Sequence, residues 1–154
     1  MPSIEETLNE GWKIHQAGEL RQAERLYQQA LAIQPTHASA WCYLGIALHD
    51  QERYDEAVAA YQRALELKPS FPIALNNLGN TYRLQRRLDD AVKSFDASLA
   101  LKPDYLIAYK NKGTALCWEG RVRDALATYE KAHKFAPNDA DIHKHLGILR
   151  LLLG

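Results

Sequence analysis

The sequence has no excess of charge of either sign. Its 154 residues contain 19 Lys or Arg and 19 Asp or Glu, so the formal net charge at pH 7 is zero. Without a global positive field, the chain lacks the long-range attraction that brings proteins to nucleic acid or to anionic membranes. We therefore expect neither nucleic acid nor a membrane among its partners.

Cysteine and long apolar runs are also scarce. Cys42 and Cys117 are the only two cysteines, and residues 1–20 contain no apolar core of a secretory leader. Two reduced thiols are therefore favoured over a disulfide, which predicts a cytoplasmic protein. No apolar run approaches the roughly 20 residues that a membrane-spanning helix needs.

Motifs for catalysis and metal binding are absent too. The chain has no Gly-rich phosphate loop, metalloprotease helix motif, nucleophile elbow or paired-cysteine motif. His15 and His49, with Cys42 nearby, form only a weak zinc combination. His143 and His145 point about 200° apart on a helix and cannot share an ion. We predict no enzymatic activity, no cofactor and no metal site.

What the sequence does have is a strict internal repeat. Glycine recurs every 34 residues, at Gly11, Gly45, Gly79, Gly113 and Gly147. The same period holds for a proline, an alanine and an aromatic series: Pro35, Pro69, Pro103 and Pro137; Ala23, Ala57, Ala91 and Ala125; Tyr27, Tyr61, Phe95 and Tyr129. Self-similarity at such a period indicates stacked units that share one core.

The repeat resembles that of the tetratricopeptide repeat family. The second unit matches the family motif best, with Trp41, Leu44, Gly45, Ala57, Tyr61, Ala64 and Pro69. The first unit departs most, as expected of a terminal repeat whose outer face has no neighbour. The resemblance implies an all-α fold: a right-handed superhelical α-solenoid of antiparallel helix pairs, with about four repeats and a C-terminal helix.

Hydrophobic periodicity divides each unit into two amphipathic helices. A single domain over residues 1–154 would contain repeats 4–37, 38–71, 72–105 and 106–139, followed by a partial fifth repeat or capping helix at 140–154. The predicted helices are 4–17, 20–33, 38–51, 54–67, 72–85, 88–101, 106–119, 122–135 and 140–153, with no strands.

Packing inside a unit follows from residue size. Small residues at Gly45 and Ala57 predict a close crossing of the paired helices, with the Tyr61 ring filling space toward the following unit. Pro69 ends the second helix because it removes a donor and disfavours helical angles at Lys68. The residues after the prolines should cap the next helices, namely Thr36, Ser70, Asp104 and Asn138.

The last helix carries apolar residues on more than one face. A terminal helix needs a polar outer face to remain soluble, so Leu149, Leu152 and Leu153 are expected to lie uncovered. Either the helix packs on another chain, or residues that would form a fifth second helix have been removed. A small natural protein whose last helix docks on the fourth repeat is the remaining alternative.

Stacking of the first helices should create a continuous groove. The candidate groove residues are Trp12, Tyr43, Asn76, Asn77, Asn80, Arg83, Lys110, Asn111, Thr114 and Lys144. One half is apolar and aromatic, and the other is rich in amides and cations. Amides can bond the backbone of an extended peptide, and the cations Arg83, Lys110 and Lys144 should favour an acidic one.

Two uses of the family fold can be compared with this groove. The carboxylate clamp of chaperone-binding members is disfavoured, because only Asn80 and Asn111 match it and Asp141 would repel a carboxylate. Residues 73–80 look like repeats of O-linked N-acetylglucosamine transferases, whose groove asparagines grip a peptide backbone. The resulting hypotheses are a noncatalytic peptide-binding scaffold, an oligomerisation module using the last helix, and a substrate-presenting part of a larger enzyme.

Overall fold

The computed structural model describes all residues from 1 to 154. It contains nine α-helices and no strand: α1 Ile4–Gln16, α2 Leu20–Ile33, α3 Ala38–Asp50, α4 Tyr54–Leu67, α5 Pro72–Leu84, α6 Leu88–Leu101, α7 Leu106–Trp118, α8 Val122–Phe135 and α9 Ala140–Leu153. The predicted all-α solenoid with four helix pairs and a C-terminal helix is confirmed, and every helix ends within one residue of its predicted bound.

The N-caps of α3, α5, α7 and α9 each lie one residue later than predicted. The N-cap residues are His37, Phe71, Tyr105 and Asp139, so the capping roles expected of Thr36, Ser70, Asp104 and Asn138 were wrong. At two of these ends the side chain caps the helix: His37 accepts a bond from the Ala40 amide, and Asp139 accepts one from the Ile142 amide. Thr36, Asp104 and Asn138 lie instead within turns, as where the His37 N–H donates to the Gln34 carbonyl.

Aromatic rings fill the crossing between the two helices of each complete unit. A Cβ atom added to Gly45 would lie 2.6 Å from the Tyr61 ring, so only glycine leaves room for the ring. Gly113 and Tyr129 repeat this arrangement. The close crossing predicted from Gly45 and Ala57 is thus confirmed, and the Tyr61 hydroxyl also reaches the following unit, where it hydrogen-bonds Thr81 of α5.

The first helices lie side by side along the solenoid. Each helix packs against the next in sequence, and α1 also contacts α3, α3 contacts α5, and α5 contacts α7. The first helices therefore share one surface, which we call the concave surface, and the second helices form the opposite, convex side. None of the helices is both long and apolar enough to cross a membrane.

The last helix, α9, docks on α8 through residues that were expected to be uncovered. Leu149 is only 3% exposed and belongs to the core with Ile142 and Leu146, so its assignment to an exposed self-association surface was wrong. The reason is that Leu149 stands at the repeat position of Ala115, which packs inward in the preceding unit. Leu152 and Leu153 do remain exposed, at 66% and 40%.

Candidate functional site

An apolar pocket lies in the first half of the concave surface. Its cavity has a volume of about 450 Å³ and is lined by Trp12, Ser39, Cys42, Tyr43, Ile46, Phe71 and Ile73. Six of these seven residues are hydrophobic. We call this cavity the apolar pocket.

Packed aromatic rings form one wall of the apolar pocket. The Trp12 and Tyr43 ring centroids are 5.7 Å apart, and Tyr43 in turn stacks on the buried Tyr27 at 5.5 Å. Tyr27 is fixed by the glycine crossing of its unit, so the wall is anchored to the core. The structure thus brings the predicted residues Trp12 and Tyr43 together.

Five pocket residues were missing from the predicted site, namely Ser39, Cys42 and Ile46 of α3, together with Phe71 and Ile73. Ile73, which is 50% exposed, occupies the second position of α5, and this position belongs to the same helical stripe as Trp12. The helical stripe therefore could have identified Ile73 as a groove residue. Phe71 precedes α5, outside the helical periodicity, and no pattern places its ring in the pocket.

The Cys42 thiol forms part of the pocket and is neutral at physiological pH. The residue is 4% exposed, and burial raises the pKa of the thiol to about 12, although a hydrogen bond with Asn77 acts in the opposite direction. Cys42 and Cys117 are both free thiols. The pocket therefore offers an uncharged lining.

The asparagines in the middle of the concave surface are partly engaged with other protein groups. Asn76 is only 3% exposed, and its Oδ1 accepts a hydrogen bond of 3.1 Å from Asn111. The Oδ1 of Asn80 accepts two bonds from the Arg83 guanidinium, at 2.6 and 3.2 Å. The expectation that Asn76 is an accessible groove residue was wrong, because its side chain bonds the neighbouring first helix.

The cation Lys110 is paired rather than free. Its ammonium lies 2.8 Å from Asp139 and 3.5 Å from Asp141, and the hydrogen bond to Asp139 raises its pKa. The expectation of three available cations was therefore wrong. The sequence did not reveal this pairing, because Asp139 caps α9 and lies outside the helical stripe from which the groove was predicted. Lys144 is exposed and has no carboxylate partner.

The predicted groove residue Thr114 is engaged within its own helix, because its hydroxyl donates a hydrogen bond to the Lys110 carbonyl.

Two arginines flank an exposed tryptophan farther along the concave surface. The guanidinium carbons of Arg83 and Arg86 lie 4.6 and 5.2 Å from the Trp118 ring centroid. Neither arginine has a carboxylate within ion-pair distance, and burial lowers the pKa of Arg83. We call Arg83, Arg86 and Trp118 the arginine–tryptophan cluster. Only Arg83 was predicted, because Arg86 lies in a turn.

The histidines of the concave surface have separate partners. His15 bonds Asp50 at 2.6 Å, and His49 bonds Thr81 at 2.8 Å. No three side chains of the metal-ligating types come together in the chain. The side chains of His15, His49 and Cys42 therefore do not come together as ligands of one zinc ion.

Solved structures show the same fold over most of the chain. MamA from Desulfovibrio magneticus RS-1 is 21% identical with a TM-score of 0.86, covering 97% of this chain and 85% of its own. PilF from Pseudomonas aeruginosa is 21% identical with a TM-score of 0.90, covering 97% and 68%. The first TPR of Spaghetti (RPAP3), bound to an HSP90 peptide, is 23% identical with a TM-score of 0.72, covering 75% and 92%.

Family models agree with the internal repeat. Two models described as tetratricopeptide repeat match residues 26–59 and 72–105, and one described as TPR repeat matches residues 47–85. A comparison with curated proteins gave no match. The matched segments together run from residue 26 to residue 105, within a chain whose glycine, alanine and aromatic registers repeat throughout, and the chain is a tetratricopeptide repeat protein.

Proposed function

We propose that the protein is a noncatalytic interaction scaffold that binds an extended segment of a partner protein along its concave surface. The apolar pocket is the observation that carries this proposal. Trp12 and Ile73 are 37% and 50% exposed at its mouth, although each is large and apolar. Concave apolar cavities with a few polar groups are typical ligand sites.

The middle of the groove supplies polar groups for a peptide backbone. Each non-proline residue of an extended segment presents one N–H donor and one carbonyl acceptor. Asn77, together with the amide hydrogens of Asn80 and Asn111 that are not bonded internally, can bond such groups. This use of asparagines is what the resemblance of residues 73–80 to glycosyltransferase-type repeats implies.

A structural neighbour supports an extended ligand. The first TPR of Spaghetti (RPAP3) has been solved with an HSP90 peptide. We propose that this chain also takes a peptide segment, without the carboxylate clamp of chaperone-binding members. Asp141 lies 3.5 Å from Lys110 and would disfavour a second carboxylate beside that lysine.

A titration of matched double variants tests the proposal. Partners captured with the wild-type protein are titrated against Trp12→Ala/Ile73→Ala in the groove and Arg25→Ala/Arg63→Ala on the convex side. Loss of the apolar contacts that these two side chains make with the bound segment should weaken binding by roughly tenfold or more, whereas the convex pair should leave binding unchanged. The opposite pattern, in variants that remain helical, would place the site on the convex side and contradict the proposal.

A second proposal concerns α9. Self-association through this helix is supported by Leu151 and Leu152, which are 86% and 66% exposed, and by Leu153 beside them. Two identical apolar faces can cover each other in a symmetric dimer. Sedimentation should show a dimer that Leu151→Ser/Leu152→Ser converts to monomer. A wild-type protein that stays monomeric at high concentration would rule this association out.

A further inference from the structure

We infer that the partner segment is held at two points: an apolar side chain enters the apolar pocket, and a carboxylate about four to six residues away binds the arginine–tryptophan cluster. The inference rests on the proposed function and names the ligand chemistry of the same concave surface. It identifies the occupant as an extended segment of a partner protein with one apolar and one acidic residue at a defined spacing.

The first point of contact selects an uncharged side chain. The pocket lining is apolar apart from Ser39, and the Cys42 thiol within it carries no charge at physiological pH. A charged group entering such a cavity would lose its hydration without gaining an ionic partner. Aromatic rings of Trp12, Tyr43 and Phe71 instead provide broad apolar contact.

The second point of contact selects a carboxylate. Five of the ten arginines have carboxylate partners, namely Arg53, Arg63, Arg87, Arg121 and Arg150. Among the five without one, Arg83 and Arg86 lie close together on an aromatic ring, that of Trp118. Arg83 directs its Nε and Nη2 groups to Asn80, which leaves its Nη1 group for a ligand. The Arg86 guanidinium makes no side-chain hydrogen bond, and its planar N–H edge matches a carboxylate.

Backbone conformation adds a second observation at Arg86. Its φ is 63°, a left-handed value that the equivalent turns place at Gly18, Glu52 and Gly120. A side chain is thus retained where glycine is less strained. From this position in the turn, the Arg86 side chain places its guanidinium over the Trp118 ring.

The spacing follows from the stacking of the first helices. The pocket is centred on α3, between α1 and the start of α5, whereas the cluster spans the end of α5 and the end of α7. Packed helices are about 8–10 Å apart, so the two points are separated by roughly 12–20 Å along the groove. An extended chain advances about 3.3 Å per residue, which gives the stated four to six residues.

A panel of synthetic peptides tests this spacing. Each peptide of about 12 residues carries one Leu and one Glu in a Gly/Ser background, with separations from about two to about nine residues. Binding to the ¹⁵N-labelled protein is followed by NMR titration, which measures weak affinities and locates the contacted residues. The matched peptides replace Glu with Gln. The matched protein variants are Arg86→Gln and, as the control, its neighbour Arg87→Gln.

We expect the tightest binding at a separation near five residues, with a loss of roughly fivefold or more at the extremes or on replacing Glu with Gln. Arg86→Gln should remove this preference, whereas Arg87→Gln should keep it. Affinity that is independent of spacing and of Arg86, or no binding at all, overturns the inference.

The proposed function is tested separately, with the captured partners and the Trp12→Ala/Ile73→Ala variant. Concentration-dependent shifts of groove residues without peptide would identify a second copy as the occupant and also overturn the inference.

Discussion

Helices α7 and α9 occupy the same place in successive repeats but have different surroundings. In α7, Gly113 lies against the Tyr129 ring of the helix that follows it. In α9, a Cβ atom on the equivalent Gly147 would meet nothing within 4 Å. The repeat motif therefore specifies a position in the unit, and the neighbouring helix decides whether that position is buried.

The comparison also explains which face of α9 is apolar. The positions that a following second helix would cover are His143, Gly147 and Arg150, which are equivalent to Tyr109, Gly113 and Leu116 in α7. Two of the three are polar. The exposed apolar residues Ile148, Leu151 and Leu152 instead stand at positions equivalent to Thr114, Cys117 and Trp118, on the concave side. The outer face of α9 is thus more polar than its leucine content suggests.

The largest expected difference concerns two leucines of α9. Leu149→Ala should lower the free energy of unfolding by about 2–5 kcal/mol, because it opens a cavity in the core. Leu152→Ala removes an exposed side chain and should change it by less than about 0.5 kcal/mol. Urea denaturation at low protein concentration measures both. Equal effects would contradict the orientation of α9.

The next difference concerns the equivalent glycines. Gly113→Ala should destabilise the protein by about 1–3 kcal/mol, because the methyl group collides with the Tyr129 ring. Gly147→Ala should stabilise it by about 0.5–1 kcal/mol, because alanine favours the helix and meets no neighbour. Thermal unfolding of the two single variants measures the signs. A destabilising Gly147→Ala would show that this position is covered.

A smaller difference separates two turns. Glu52 and Arg86 have φ values of 61° and 63° where the equivalent residues are Gly18 and Gly120. Both Glu52→Gly and Arg86→Gly should stabilise the fold by up to about 1 kcal/mol through relief of backbone strain. Only Arg86→Gly should weaken a groove ligand. If Glu52→Gly weakens binding equally, the effect comes from the turns and not from the Arg86 side chain.

The smallest expected effect is the pH dependence of stability that arises from Cys42. This residue is buried, whereas Lys144 at the equivalent position of α9 is exposed. The folded-state pKa of Cys42 is raised to about 12, above the value of about 8.5 for an unfolded thiol. Its contribution to stability is therefore fully present below pH 8.5 and declines as the pH rises toward 12, with a loss of about 1 kcal/mol at pH 9. Cys42→Ala should flatten the stability profile above pH 8.5, and an unchanged profile would contradict this origin.

The fold could be predicted because its information is periodic. Glycine and alanine registers at 34 residues specify where two helices cross, and the helix bounds follow from the prolines and turns between them. Periodicity also places the Tyr61 ring on the buried face of its helix, where it meets Gly45 of its own unit and Thr81 of the next. At three of the four helix starts, the N-cap lies one residue later than predicted because Thr36, Asp104 and Asn138 are part of the turn that contains the proline.

The candidate site was less predictable than the fold. Trp12 and Tyr43 follow from the first-helix stripe, as Ile73 could have done. Phe71 comes from a loop, and the pairing of Lys110 with Asp139 joins residues in different repeats. Whether a polar side chain is free or engaged depends on such long-range contacts, which a helical stripe does not encode. The asparagines show the same limit, since Asn76 and Asn111 bond each other.

Asp139 makes two bonds with one carboxylate. One oxygen accepts the Ile142 amide and so caps α9, while the other bonds the Lys110 ammonium, and the lysine bond is the main reason for the lowered pKa of Asp139. Helix initiation and groove charge are consequently coupled in this protein, so substitutions at Lys110 and at the start of α9 will not be additive. Asp139→Asn separates the two roles, since its amide can still cap the helix while the charge that neutralises Lys110 is gone.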